Sequence, residues 1–277
     1  MLLLVVLALA SCRRAIVPQQ KPSARPAVAS QALAPSGEPA PSGEPPAPSG
    51  EPPAPSDVPA AVVDILPAAL PAGCVTQSAQ AFLVEAHLQN HALQTARAQS
   101  EWWTRLQRSI RYRTEQYGYY SGFGSRAWNP RSLASQMRRA KFAGLPLVLH
   151  ERVLPALHCV ELAIERDCRA APYRPRALVG TRQANTYSGG DVSNHIYGIA
   201  LDIDPNENPC CNCVEPWRSN PKCRGRKSDW QRMAMPECWV TTFERYGFYW
   251  LGHDELKDTM HFEFLGDPSK YATIYVR

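Results

Sequence analysis

Hydrophobic and polar positions change their rhythm several times along this chain. Leu154, Leu157, Val160 and Ile164 recur at helical spacing, with Pro155 tolerated in a first turn, so residues 153–166 predict a core helix. Helical stretches are also read within 77–108, where Trp102 and Trp103 are expected in the core, and over 131–143 and 236–246. Residues 117–130, rich in Gly and aromatic side chains, read as loop. The rhythm then shortens. Residues 199–203 (I-A-L-D-I) form an apolar, β-branched run that suits a buried strand, and Gly198 before it permits a bend or a close backbone approach. In 260–264, Met260, Phe262 and Phe264 share one face of a strand, with His261 and Glu263 on the other. Further strands are read at 248–251 and in A-L-V-G-T-R, 177–182. The pattern predicts an α+β domain: helices first, then a small, largely antiparallel sheet.

Before residue 74 the rhythm is absent. Prolines crowd residues 13–73, and A-P-S-G-E-P-type units recur between 35 and 55. Such a segment buries no core and is read as a tether of polyproline II and coil. Residues 1–10 are apolar but too short to span a bilayer as a helix. They lead into L-A-S-C, which resembles a bacterial lipobox, with cleavage before Cys12 and lipid carried on it. The expected organisation is a signal peptide at 1–12, a linker at 13–73 and one domain at 74–277. With Arg at position 13 rather than Asp, the usual sorting rule points to the outer membrane, facing the periplasm.

A net charge of +5 without a Lys/Arg run argues against a nucleic-acid partner and agrees with an anionic envelope surface. The chain is read as a monomer. Of 9 cysteines, Cys12 is assigned to lipid. The remaining even number in an exported chain implies disulfides. Five of them lie between Cys210 and Cys238, so at least one pairs outside that cluster if all are oxidised. Residues 206–236 are read as a stapled insertion. A second metal site in C-C-N-C is not expected.

The candidate chemistry sits in S-N-H-I-Y-G-I-A-L-D-I-D, residues 193–204, and D-T-M-H-F-E-F, residues 258–264. Together they offer two imidazoles, one carboxylate ligand and one spare carboxylate. That is the inventory of a catalytic zinc site with an open fourth position and a general base beside it. Glu263, on the His261 face, is expected to orient a ligand or an Arg, and Asp204, two residues after Asp202, to do likewise. His253 is read as a solvated turn residue. His87, His91, His150 and His158 are read as ordinary helix or loop histidines.

These residues resemble a group of zinc peptidases that includes D-alanyl-D-alanine carboxypeptidases of the vancomycin-resistance type and phage L-alanyl-D-glutamate endolysins. The group shares its fold with the Hedgehog signalling domain. Its pattern, S-x-H-x-x-G-x-A-x-D followed later by [E/D]-x-x-H, is matched by Ser193, His195, Gly198, Ala200 and Asp202, then by Asp258 and His261. The resemblance covers roughly 146–265. It implies zinc held by His195, Asp202 and His261, Asp258 as catalytic base, and Arg182, at the end of the 177–182 strand, steadying the developing oxyanion. Ser193 and Tyr197 are expected at the substrate, and Tyr187 along the cleft. The carboxypeptidases usually carry Glu at the base position, whereas Asp is familiar from endolysin-like members. The expected activity is hydrolysis of peptide bonds in peptidoglycan stems. The alternative is a non-catalytic, zinc-containing wall-binding lipoprotein.

Overall fold

The computed structural model describes residues 69–86, 96–184 and 192–272, all within the compact unit Val62–Arg277. Cys12, the Pro-rich stretch to residue 68, Tyr187, His87 and His91 lie outside the described residues.

Two helices lead, α1 (Ala81–Ala86) and α2 (Ala96–Tyr117). Leu106, Ser109, Ile110, Arg113, Thr114 and Tyr117 are the buried stripe of α2, at the spacing one helix face requires. Trp103 is 56% exposed, so the expectation that it lies in the core is corrected.

Strands β1 (Met137–Phe142) and β2 (Leu145–His150) then form an antiparallel hairpin. This replaces the helix expected over 131–143. Phe142 pairs with Leu145, which leaves a two-residue turn of Ala143 and Gly144, both at positive φ. That backbone matches the twist of a tight hairpin, and Pro146 just beyond it would interrupt a helix. Two backbone hydrogen bonds tie the hairpin to later parts of the chain. Thr181 N donates to Val148 O (2.9 Å), and His150 N donates to Gly198 O (2.8 Å).

The expected core helix is α3 (Leu154–Asp167), with Pro155 in its first turn. Strands β3 (Leu178–Val179), β4 (Ala200–Ile203), β5 (Phe248–Trp250) and β6 (His261–Phe264) form one sheet in the order β3-β4-β6-β5, with every pairing antiparallel. Two further helices, α4 (Asp229–Arg232) and α5 (Glu237–Arg245), precede β5. Phe243 of α5 stacks on Phe262 at 4.3 Å and meets Phe248 edge-on at 5.1 Å. Each such aromatic, fully buried, contributes roughly 1.5–3 kcal/mol. The α+β reading therefore holds, with an aromatic core on one face of the sheet.

Four disulfides fasten this frame. Cys74–Cys159 ties the N-terminal segment to α3, and Cys168–Cys238 ties the end of α3 to α5. Cys210–Cys213 and Cys211–Cys223 lie inside the insertion. Cys238 is thus the member of the cluster that pairs outside it, while Cys210 and Cys213 stand at C-x-x-C spacing. Asn208 closes the insertion: its Nδ2 donates to Ile203 O, and its Oδ1 accepts from Ala234 N and Met235 N.

Candidate active site

Antiparallel register brings the site together. Asp202 of β4 lies directly opposite His261 of β6, and Ala200 opposite Glu263, so all four share one face of the sheet. The small side chain of Ala200 leaves room for Glu263. His195 arrives from the loop before β4. Gly198, at φ +67°, turns that loop, and a Cβ there would lie 2.9 Å from His150 N.

Hydrogen bonds fix both imidazoles. His195 Nδ1 lies 2.6 Å from Gly180 O, so that nitrogen carries the proton and donates it. His261 Nε2 lies 2.9 Å from Glu263 Oε1 and donates in the same way. The remaining nitrogens converge: His195 Nε2 is 3.2 Å and His261 Nδ1 2.7 Å from Asp202 Oδ1, and they are 3.1 Å from one another. His195, Asp202 and His261 are buried, and their ligand atoms lie within 4.8 Å of one another. Two neutral nitrogens and a carboxylate oxygen at one point, each ring oriented from behind, form a donor set that fits a divalent cation.

Without a cation, a proton on His261 Nδ1 bridges it to Asp202 Oδ1, the shorter of its two contacts. The electrostatics agree. Burial opposes charge on His261, yet Asp202 and Glu263 raise its pKa well above the ordinary histidine value. Burial likewise opposes ionisation of Asp202, but His195 and His261 hold its carboxyl well below the usual range.

Asp258 stands just before β6. Burial pushes its carboxyl up to about 7, against the pull of His261 and Arg182 and with the help of Asp202 and Glu263. Its Oδ1 is buried and has no hydrogen-bond partner. A carboxylate poised near neutrality with a free oxygen is suited to accepting a proton. Its backbone N donates to Leu251 O (3.2 Å), and its residue bridges Cys210 across a short antiparallel contact. Cys213 Sγ is 3.9 Å from Asp258 Oδ2. Cys210, Cys213 and Asp258 also cluster within 4.8 Å. The two sulfurs are bonded to each other and offer no thiolate.

Arg182 follows β3 and is half-buried; its Nη2 donates to Ser193 Oγ (3.0 Å), while its buried Nε has no hydrogen-bond partner. Ser193 Oγ also accepts from His195 N (3.3 Å), so Ser193 ties Arg182 to the His195 loop. Two expectations are corrected. Tyr197 is fully buried, with the Arg113 guanidinium 4.9 Å from its ring centroid, and has no face to offer a substrate. Asp204, at φ +43°, turns away from the site; it accepts from Tyr173 Oη, Arg176 N and Ala177 N and anchors the approach to β3. His253 pairs with Glu244 at 2.8 Å. Sequence reasoning missed the Gly180 carbonyl and Asn194, neither of which carries a spacing signal.

Residues 186–264 match a family model described as D-alanyl-D-alanine carboxypeptidase, a stretch that contains His195, Asp202, Asp258 and His261 but not Arg182. No curated protein and no solved structure matches the chain. Peptidases of this family are typically zinc-dependent, and among the described residues no helix is long and apolar enough to cross a membrane. The match supports a hydrolase that acts on cell-wall peptides and, with it, an envelope or exported protein.

Proposed function

We propose that this chain is a zinc peptidase that hydrolyses peptide bonds in peptidoglycan stems, with His195, Asp202 and His261 holding the metal. One observation carries the reading: His195 Nε2, His261 Nδ1 and Asp202 Oδ1 converge on a single point, and Asp258, whose buried Oδ1 has no hydrogen-bond partner, interacts electrostatically with His261 and Asp202. A wall-binding scaffold has no use for that fourth, poised carboxylate.

Zinc at this point would supply a Lewis acid that acidifies water and polarises a carbonyl. Asp258 accepts a proton from the attacking water and returns it to the leaving amine. Arg182 directs positive charge toward the oxygen on which negative charge develops, and Ser193 holds the guanidinium in place. Glu263 and the Gly180 carbonyl keep both imidazoles in the tautomers that present a lone pair inward.

Anchoring at Cys12 and a long Pro-rich tether would carry the domain from a lipid surface to the wall. A polymeric target suits that arrangement, and Asp at position 258 inclines the reading toward an endopeptidase. Incubation of the purified chain with muropeptides, followed by mass spectrometry, tests it. Shortened stems, with negligible cleavage of free D-Ala-D-Ala, are expected. An unchanged muropeptide profile from a zinc-loaded chain would overturn the reading.

A further inference from the structure

α2 carries a charged residue on its buried stripe, where an apolar side chain would be expected. Arg113 is 2% exposed. Burying a guanidinium is costly unless it is hydrogen-bonded and its charge is answered. Its Nη1 donates to Val192 O (3.1 Å) and to Asn194 Oδ1 (2.8 Å). Asn194 Nδ2 then donates to Glu263 Oε2 (2.8 Å), and Glu263 Oε1 accepts from His261 Nε2 (2.9 Å). These partners fix the orientation of the Asn194 amide, with its oxygen toward the cation and its nitrogen toward the carboxylate.

We propose that Arg113 and Asn194 are positioning residues of the metal centre, forming a buried relay from α2 through Glu263 to His261. This rests on the proposed zinc peptidase function and extends it to a helix outside the family match. The relay acts on both imidazoles. Val192 and Asn194 belong to the loop that delivers His195, so Arg113 fixes that loop directly. Through Asn194 it also holds one oxygen of Glu263, which leaves the other aimed at His261. The positive charge of Arg113, transmitted through the amide, answers the buried Glu263 carboxylate. The N-terminal helical region thereby has a role in the chemistry besides packing.

The test uses the purified full chain, with zinc affinity measured by chelator competition and turnover measured on muropeptides. Asn194→Ala should weaken zinc binding about 10–100-fold and lower kcat with little change in KM, the range typical when an outer partner of a metal site is removed, here through the Glu263 that orients His261. Arg113→Lys, which keeps the charge but not the fork, should fall between Asn194→Ala and the wild type. A merely structural role would lower the thermal midpoint and leave zinc affinity untouched. Asn194→Ala that folds cooperatively and matches wild-type zinc affinity and kcat overturns the relay while the proposed function stands. If Asn194→Ala does not fold, wild-type affinity and kcat in Arg113→Lys overturn it by the same criterion. A wild-type chain that takes up no zinc overturns the proposed function and the relay together.

Discussion

His261 Nδ1 lies 2.7 Å from Asp202 Oδ1 across a directly opposed pair of strand residues, and its other nitrogen is engaged by Glu263 at 2.9 Å. Without metal, a proton occupies this contact, because Asp202 and Glu263 outweigh burial and raise the His261 pKa well above its ordinary value. A cation must displace that proton. Zinc affinity should therefore rise with pH while His261 is protonated in the metal-free chain, by about tenfold per pH unit. Calorimetry in buffers of different ionisation enthalpy would detect the released proton. Affinity that does not change with pH, with no proton released, would contradict the assignment.

Asp258→Ala should keep its zinc and lose about 10²–10⁴-fold in turnover, since the carboxylate is a base and not a ligand. Loss of zinc in that variant would make Asp258 a ligand instead.

The same carboxyl must be ionised to accept a proton, and burial pushes it up to about 7. Activity should fall on acidification, with a limb no higher than about 7, because a bound cation lowers it further. Arg182 holds the Asp258 pKa down. Arg182→Gln should therefore move the acid limb to higher pH as well as reduce kcat. A limb that stays in place would separate Arg182 from Asp258.

His150 predicts an effect on stability independent of metal. Its Nε2 donates to Tyr117 O (2.9 Å) and its Nδ1 accepts from Arg152 N (3.1 Å), a pair of bonds that only the neutral ring can make. Burial lowers its pKa from 6.5 to about 4. Between those values the unfolded chain binds a proton and the native chain does not, so stability is complete above about 6.5 and declines as pH falls toward 4. The loss attributable to this residue is on the order of 3 kcal/mol. Denaturant unfolding across that range should show a shallower decline in His150→Gln than in the wild type. Parallel declines would reject the account.

Much of the site was legible because strand periodicity is local. His261 and Glu263 alternate with Met260, Phe262 and Phe264, and G-x-A before Asp202 announces a tight approach to a buried strand. Asp204 misled, since period two holds only while the strand lasts; a positive φ at Asp204 ends it. The hairpin over Met137–His150 was hidden by residues such as Arg138, Arg139, Ala140 and Lys141, which suit a helix on propensity alone. Ala143-Gly144 followed by Pro146 was the available warning. Arg113 could not be found from sequence, because its partners lie about 80 positions away and its neighbours along α2 are themselves arginine-rich.

The Cys210–Cys213 disulfide lies against the segment that presents the base: Cys211 N donates to Lys257 O (3.3 Å), Asn212 N to Leu256 O (3.0 Å), and Cys210 bridges Asp258. Cys210→Ser/Cys213→Ser should retain zinc and lose about tenfold or more in kcat, because a small displacement of a catalytic group is costly. Wild-type kcat in that double variant would remove the disulfide from the account.

Elemental analysis of the purified chain tests the central claim most directly. The wild type should carry one zinc per chain, and His195→Ala/His261→Ala should carry none, because two of the three converging donors are gone. Full zinc occupancy in the double variant would contradict a metal centre at His195, Asp202 and His261.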